Sequence, residues 1–181
     1  MNHRDHVALL RTGIGTGGGV WADFGSGTGA FTLALADLLG PSATIYSLDR
    51  DGAAMRRQEQ TMKARFPVTT VHYLVADYTQ RVALPMLDGL IMANTLHFQK
   101  DKRSVVELLR TYLRPAGRFV LVEYDTDHGN RWVPFPISFP RWQQLAARCG
   151  LHGTQLLARR PSRFLGHIYA AMSTRDGEAL A

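Results

Sequence analysis

The segment Asp23-Phe24-Gly25-Ser26-Gly27-Thr28-Gly29-Ala30 decides the fold of this chain. An apolar run, Val20–Phe24, leads into it, and apolar residues between Phe31 and Leu39 recur on one helical face after it. A strand, a glycine-rich turn and a helix therefore follow one another. Glycine turns the backbone tightly and admits a ligand where a Cβ would block it, and the start of a helix offers free N–H groups. The segment predicts a ligand-binding turn.

Strands and helices alternate outward from this turn. The pattern predicts strands at Val20–Phe24, Ala43–Leu48, Val68–Val75, Gly89–Asn94 and Arg118–Glu123, the last one preceded by a turn at Pro115-Ala116-Gly117. It predicts helices at Phe31–Leu39, from Asp51 to about Arg65, at Val105–Tyr112 and at Trp142–Cys149. Such alternation is typical of an α/β fold with a doubly wound, Rossmann-like, mostly parallel sheet and helices on both faces.

The last two predicted strands, Thr154–Ala158 and Phe164–Ala171, are joined by a connection too short for a helical crossover. Parallel neighbours need such a crossover, whereas antiparallel neighbours do not. We therefore expect the sheet to end in an antiparallel hairpin. With 181 residues and no visible linker, residues 1–181 are predicted to form a single domain.

Composition excludes several classes of protein. A hydrophobic share of 45% and a charged share of 20% exclude wholesale disorder. The single cysteine, Cys149, excludes an internal disulfide and argues against a cysteine-based zinc site. His3 and His6 have no third ligand nearby in the sequence, so no metal site is predicted. The most apolar stretch, Leu87–Leu96, is too short to span a bilayer. No signal peptide is recognised, and a cytoplasmic location without a membrane partner is predicted.

The net charge of +6 does not by itself indicate a nucleic-acid partner. The basic residues are spread along the chain, and the densest patch is only Arg159, Arg160 and Arg163, beside Phe164. A protein that binds single-stranded nucleic acid is expected to show more basic residues interleaved with aromatic ones on one face. We interpret the excess positive charge as a solvated surface.

Three acidic residues lie at the carboxyl ends of three successive predicted strands. Asp23 lies two residues before Gly25, where a carboxylate would repel a pyrophosphate and would suit a ligand that carries an ammonium group. Asp49 lies 22 residues after Gly27, at the place of a ribose-binding acid. Asp77 closes the third strand. The carboxyl ends of parallel strands lie at one edge of a sheet, so we expect the three acids to line one ligand site.

With the acids and the motif of Asp23, Gly25, Gly27 and Gly29 in place, residues 5–175 resemble the class I S-adenosylmethionine-dependent methyltransferases. The resemblance implies S-adenosylmethionine as cofactor, its methionine end held by Asp23 and the turn that includes Ser26. It further implies that Asp49 binds the ribose, that Asp77 reads the adenine, and that Arg50 and Tyr78 flank the adenosine. The segment from Leu90 to His97 looks like the family's fourth-strand motif, which places Asn94 where cofactor meets substrate.

The same resemblance favours a small-molecule substrate. The sequence Asn94-Thr95-Leu96-His97 lacks the Asn-Pro-Pro-Tyr type of motif, which argues against methylation of an amino group of adenine or glutamine. Methyl transfer needs no dedicated catalytic residue when the acceptor loses its proton easily. If a base is required, His97 is the first candidate and Tyr124, with Asp125, the second. Residues 125–140, which carry several aromatic side chains, are the expected substrate lid.

Three alternatives remain open at this point. The cofactor could serve an RNA or protein acceptor through Arg159, Arg160 and Arg163. The glycine pattern also permits an NAD-type oxidoreductase, although Asp23 argues against it and no Tyr-x-x-x-Lys pair is present. Finally, the fold could be a non-catalytic binding module, because fold alone does not fix function. The sequence does not specify the oligomeric state.

Overall fold

A computed structural model describes residues 1–15, 17–162 and 164–177. Within these residues the elements are, in chain order, α1 (His3–Ile14), β1 (Gly19–Phe24), α2 (Ala30–Leu39), β2 (Ala43–Asp49), α3 (Gly52–Arg65), β3 (Thr70–Val75), β4 (Leu87–Ala93), α4 (Lys102–Arg110), β5 (Leu113–Tyr124), α5 (Phe139–Arg148), β6 (Leu151–Pro161) and β7 (His167–Arg175). A short 3-10 turn, Leu96–Phe98, follows β4.

The strands form one seven-stranded sheet in the order β3-β2-β1-β4-β5-β7-β6. Strands β1 to β5 are all parallel to one another. Strand β7 is antiparallel to both of its neighbours, β5 and β6. The predicted α/β fold with an antiparallel strand near the end of the chain is confirmed. From β1 the chain builds the sheet first toward β3 and then, from β4, in the opposite direction. This change of direction between β1 and β4 is the place where doubly wound folds bind ligands.

Helices cover both faces of the sheet, as predicted. On one face, α1 and α2 bury apolar residues against the sheet together with Met62 of α3. On the other face, α4 and α5 do the same, and Trp142 of α5 is fully buried. Asp51 caps α3, because its side chain accepts hydrogen bonds from the N–H groups of Ala53 and Ala54 at 2.9 and 3.0 Å.

One local prediction was wrong, and one helix was not predicted. The turn expected at residues 115–117 lies inside β5, where the register against β4 shifts between Leu87 and Gly89 and Ala116 adopts a φ of 60°. The extra residues of β5 are accommodated as an irregularity in the strand. Helix α1 was not predicted, because its first residues are polar. Leu9 and Leu10 of that helix are nevertheless fully buried, and a capping box of Asn2 and Asp5 begins it.

Close packing between β1 and β4 predicts the effect of a substitution at Gly89. This residue lies beside Trp21 in the sheet, and a Cβ at position 89 would overlap the indole ring. We expect Gly89→Ala to lower the free energy of unfolding by about 1–3 kcal/mol in denaturant titrations, as overpacking commonly does. The matched control is Gly52→Ala in α3, where the nearest atom to the new Cβ is 3.6 Å away. Equal stability of the Gly89→Ala variant and the wild type would contradict the packing described here.

Candidate active site

The glycine turn leaves β1 close to the segment that follows β4. Gly25 has a φ of 74°, and a Cβ at this position would overlap the side chain of Thr95. The N–H groups of Gly25 and Ser26 donate to the carbonyl oxygen of Leu48 at 2.8 and 3.0 Å. Gly27, with a φ of 53°, has no atom within 4 Å of the position that a Cβ would take. The turn is therefore held against the end of β2 by Gly25 and Ser26, whereas the space around Gly27 is open.

Asp49 connects this turn to the end of β2. One carboxylate oxygen, Oδ2, accepts a hydrogen bond from the N–H of Gly27 at 2.7 Å. The other oxygen, Oδ1, accepts one from the N–H of Asp51 at 2.8 Å. Each carboxylate oxygen has a further lone pair, so Asp49 can hold the turn and still accept a hydrogen bond from a ligand.

A cleft of about 570 Å³ extends from the turn along the ends of β2 and β3. Its lining contains five of the predicted cofactor residues, together with four residues that were not predicted: Gly25, Asp49, Arg50, Asp77 and Tyr78, with Thr79, Thr95, Phe98 and Gln99. We call this space the first cleft. Its volume lies in the range of small-molecule and cofactor sites.

Local hydrogen bonds hold the far wall of the first cleft. Oδ1 of Asp77 accepts from the N–H and the hydroxyl of Thr79 at 2.9 and 2.8 Å. The N–H of Thr79 is the main cause that lowers the pKa of Asp77 below its usual value, so this carboxyl is ionised near neutral pH. The hydroxyl of Tyr78 donates to the carbonyl oxygen of Thr95 at 3.2 Å and accepts from Gln99 at 3.0 Å.

Asp23 and Ser26 lie beneath the turn instead of in the lining of the first cleft. Asp23 is only 1% exposed, and its Oδ2 accepts a hydrogen bond from the hydroxyl of Thr32 at 2.6 Å. Burial raises the pKa of Asp23 to about 7, Thr32 opposes this change, and the charge of Asp49 adds to it. The hydroxyl of Ser26 accepts from Ser47 at 2.7 Å. The two side chains therefore support the turn from below.

A second cleft, of about 460 Å³, lies over the ends of β4, β5 and β7. Two of the candidate residues, Asn94 and Tyr124, line it together with Met1, Asp5, Pro161, Ser162, Phe164 and Ile168. Asn94 adopts a φ of 53°, and its Oδ1 is buried without a hydrogen-bond partner among the described residues. A strained backbone and an unpaired polar atom are common at functional sites.

His97 follows β4, lines neither cleft, and is paired with a buried carboxylate. Its Nδ1 is 2.9 and 3.0 Å from the two carboxylate oxygens of Glu123. Its ring lies 4.3 Å from the ring of Phe98, which lines the first cleft, and 5.9 Å from the ring of Tyr124, which lines the second. His97 is 3% exposed and Glu123 is fully buried.

Glu123 is further held by the backbone N–H groups of His97 and Tyr124, at 3.1 and 2.8 Å. Because an ionised carboxylate can only accept hydrogen bonds, Nδ1 of His97 carries the proton of the neutral ring. Nε2 of His97 is then the ring nitrogen that can take up a further proton. The sequence analysis missed Glu123, although an acid at the end of the fifth strand is the same signal that had identified Asp49 and Asp77.

Residues 125–140, which were expected to form a substrate lid, lie outside both clefts instead. None of their aromatic side chains lines either cleft within the described residues. Val133 and Ile137 are buried in the core, and the N–H of Phe135 donates to the carbonyl oxygen of His97 at 3.0 Å. The segment thus packs behind the 3-10 turn and supports His97 from outside the clefts.

The basic patch is only partly described, because Arg163 lies outside the described residues. Arg159 forms an ion pair with Asp125 at 2.8 Å. Over the described ranges, no helix is long and apolar enough to cross a membrane. Within the same ranges, no three His, Cys, Asp or Glu side chains are grouped so that they could hold a metal ion.

Comparison with known proteins gives a consistent assignment. The chain matches the family described as a methyltransferase domain over residues 17–153. It is 22% identical to the trichosetin synthetase PKS-NRPS1 of Gibberella fujikuroi over 85% of this chain, which spans 4% of that protein. It is 34% identical to the carboxy-S-adenosyl-L-methionine synthase of Chromohalobacter salexigens over 61% of this chain and 43% of that protein.

A solved structure shares the fold. The 1,6-didemethyltoxoflavin-N1-methyltransferase of Burkholderia thailandensis, crystallised with 1,6-didemethyltoxoflavin and S-adenosylhomocysteine, superposes with a TM-score of 0.75 and 17% identity, covering 97% of this chain and 79% of that chain. The family match covers most of the chain and agrees with this fold. The chain therefore belongs to the methyltransferase-domain family, which confirms the class I S-adenosylmethionine-dependent type predicted from its glycine turn and identifies S-adenosylmethionine as its cofactor.

Proposed function

We propose that this chain transfers a methyl group from S-adenosylmethionine to a small organic molecule, with His97 as the base that removes the acceptor's proton. The observation that carries the proposal is the position of the His97 ring between a residue of each cleft, with its Nδ1 bound to the buried Glu123. A ring held in this way is suited to general-base chemistry at the junction of a cofactor site and an acceptor site.

The residues of the first cleft fit the cofactor. Asp49 offers acceptor lone pairs for ribose hydroxyls, Asp77 offers an acceptor for an exocyclic amine, and Tyr78 and Arg50 border the same space. The open position around Gly27 leaves room for a ligand to lie against the backbone of the turn. When bound there, S-adenosylmethionine supplies a methyl group that is activated by its positively charged sulfur. The residues of the chain then have to align the acceptor and remove its proton.

Glu123 determines how His97 can act. Its carboxylate accepts a hydrogen bond from the protonated Nδ1 of His97, which leaves Nε2 as the basic nitrogen. When Nε2 takes the acceptor's proton, the buried negative charge of Glu123 stabilises the imidazolium ion that forms. Alignment of the reacting groups is expected to contribute more, since orientation alone can supply about 7–11 kcal/mol.

The second cleft supports a small and largely apolar acceptor. Tyr124 and Phe164 form an aromatic wall, with ring centres 5.8 Å apart, and Ile168 lies beside them. Burial and the nearby Glu123 raise the pKa of Tyr124, so its phenol remains neutral. Asp5 places a carboxylate in the lining, which disfavours an anionic acceptor. A cleft of about 460 Å³ suits a small molecule better than a protein or RNA segment.

The first prediction from the proposed function concerns the cofactor. S-adenosylhomocysteine, the demethylated cofactor, should raise the melting temperature, whereas NAD should not. Asp49→Ala should weaken S-adenosylhomocysteine binding at least about tenfold in calorimetry, because buried ribose hydroxyls would lose a charged acceptor. The control is Asp176→Ala, which removes an exposed carboxylate that pairs with His152 on the far edge strand.

Two results would contradict the cofactor assignment. One is a larger stabilisation by NAD than by S-adenosylhomocysteine, which would return the chain to the oxidoreductase alternative. The other is an unchanged affinity in the Asp49→Ala variant, which would remove Asp49 from the ribose site even if the cofactor still binds.

The second prediction concerns the base. S-adenosylmethionine would be offered with a panel of phenols and β-dicarbonyl compounds, and release of S-adenosylhomocysteine would be measured. On any acceptor that turns over, His97→Gln should lower the rate roughly 100-fold or more, the usual range for loss of a general base. Glu123→Gln should also lower it. Because neither residue is assigned to the first cleft, affinity for S-adenosylhomocysteine should stay within about twofold.

His128→Gln is the matched control for the base, since His128 is exposed in the segment that packs behind the 3-10 turn. It should retain the wild-type rate. If His97→Gln retains that rate as well, His97 is not the base and alignment alone drives the reaction. Cofactor binding without turnover of any acceptor by the wild type would favour the non-catalytic alternative.

A further inference from the structure

Gln58 lies at the centre of a buried group of polar side chains beneath the glycine turn. It belongs to α3, is fully buried, and occupies the space beside Gly29, where a Cβ would overlap it. Its Nε2 donates to the hydroxyl of Thr32 at 2.8 Å and to the hydroxyl of Ser47 at 2.7 Å. These partners lie on α2 and β2, so one amide joins three elements around the turn.

The chemistry of the amide fixes the direction of the surrounding hydrogen bonds. An amide nitrogen only donates, so Thr32 and Ser47 accept from Gln58 and keep their own protons to donate elsewhere. Thr32 donates to Oδ2 of Asp23 at 2.6 Å, and Ser47 donates to Ser26 at 2.7 Å. Ser26 then donates to Oε1 of Gln58 at 3.2 Å. Gln58 thereby orients the Thr32 hydroxyl as a donor to Asp23.

The opposite orientation of the Gln58 amide would reverse this arrangement. Oε1 would then accept the proton of Thr32, which would have none left for Asp23. A carboxylate oxygen and a hydroxyl oxygen at 2.6 Å need a proton between them, so Asp23 would have to carry it. The orientation of the amide and the charge of Asp23 are therefore coupled.

Asp23 is placed where its charge is sensitive to such a coupling. Its neighbours in the sheet register are Ser47 on β2 and Ile91 on β4, neither of which is charged. Asp49, at the end of β2, is the charged group that acts on it. Burial is the main cause that raises the pKa of Asp23 to about 7, and the hydrogen bond from Thr32 opposes this rise.

We propose that Gln58 is a positioning residue for the cofactor: by directing the Thr32 hydroxyl toward Asp23, it favours the negatively charged form of Asp23, which attracts the amine of the bound cofactor. This inference rests on the proposed function, because it requires a ligand with an ammonium group near the turn. Gln58 does not contact that ligand in this scheme. It acts through Thr32 and Asp23.

The scheme has a specific dependence on pH. Below the pKa of Asp23 the carboxyl is neutral and does not attract an ammonium group, and above it the charge is present. Affinity for a ligand with an amine therefore rises as pH increases through about 7. Loss of the donor from Thr32 raises the pKa of Asp23 further and moves this rise to higher pH. The affinity for a ligand without an amine should not rise in this way.

The test compares two ligands by calorimetry from about pH 5.5 to about pH 8.5. S-adenosylhomocysteine carries the amine, whereas 5′-methylthioadenosine has the adenosine and the sulfur but lacks the amine and the carboxylate. In Gln58→Met, the rise in S-adenosylhomocysteine affinity should move to higher pH. Near neutral pH this affinity should fall roughly 3- to 10-fold, and 5′-methylthioadenosine should lose much less. Asp23→Asn should abolish the rise.

Ser47→Ala is the matched control, because it removes the other hydroxyl that accepts from Gln58 and leaves the branch to Asp23 intact. In this variant the rise in S-adenosylhomocysteine affinity should have its midpoint at the same pH as in the wild type. If Gln58→Met does not fold, Thr32→Val replaces it and should move the rise to higher pH, while Thr32→Ser should restore the wild-type midpoint.

An unchanged midpoint in Gln58→Met or Thr32→Val, with equal losses for both ligands, would overturn the inference and reduce Gln58 to a packing role. That result would leave the proposed function intact. Failure of the wild type to bind S-adenosylhomocysteine at any pH would instead overturn the proposed function and, with it, this inference.

Discussion

The hydrogen bond from the N–H of Gly27 to Oδ2 of Asp49, 2.7 Å long, is the interaction on which the site depends. It fixes the turn after β1 against the end of β2, and thereby sets the space between them. The bond forms because β1 and β2 are parallel neighbours, whose carboxyl ends lie at the same edge of the sheet. The same carboxylate retains lone pairs for a ligand, so one residue both shapes the turn and lines the first cleft.

A second consequence of the topology is the pairing of His97 with Glu123. The residues are 26 positions apart, yet they meet because β4 and β5 are parallel neighbours. The 3-10 turn after β4 then places the His97 ring between Phe98 and Tyr124, one from each cleft. Residues 125–140 pack behind this turn, where the N–H of Phe135 donates to the carbonyl oxygen of His97. Two neighbouring strands thus bring together residues from the first and the second cleft.

Much of this arrangement could be predicted from the sequence, because it depends on local signals. Strand periodicity, the glycine turn and an acid after each of three strands identify β1, β2, β3 and the first cleft. What could not be predicted depends on tertiary contacts. Helix α1 is polar at its start and gains stability by burying Leu9 and Leu10. The hydrogen bonds beneath the turn include Gln58, a residue of another helix that no local pattern singles out.

The contribution of α1 to the second cleft has a practical consequence for handling the protein. Met1 and Asp5 belong to the lining of that cleft, so a purification tag fused ahead of Met1 would emerge beside the second cleft. Strand β7 runs opposite to the five parallel strands and therefore finishes, at Arg175, on the edge of the sheet away from both clefts. An attachment made at the Arg175 end of β7 would leave both clefts accessible to bulky reagents.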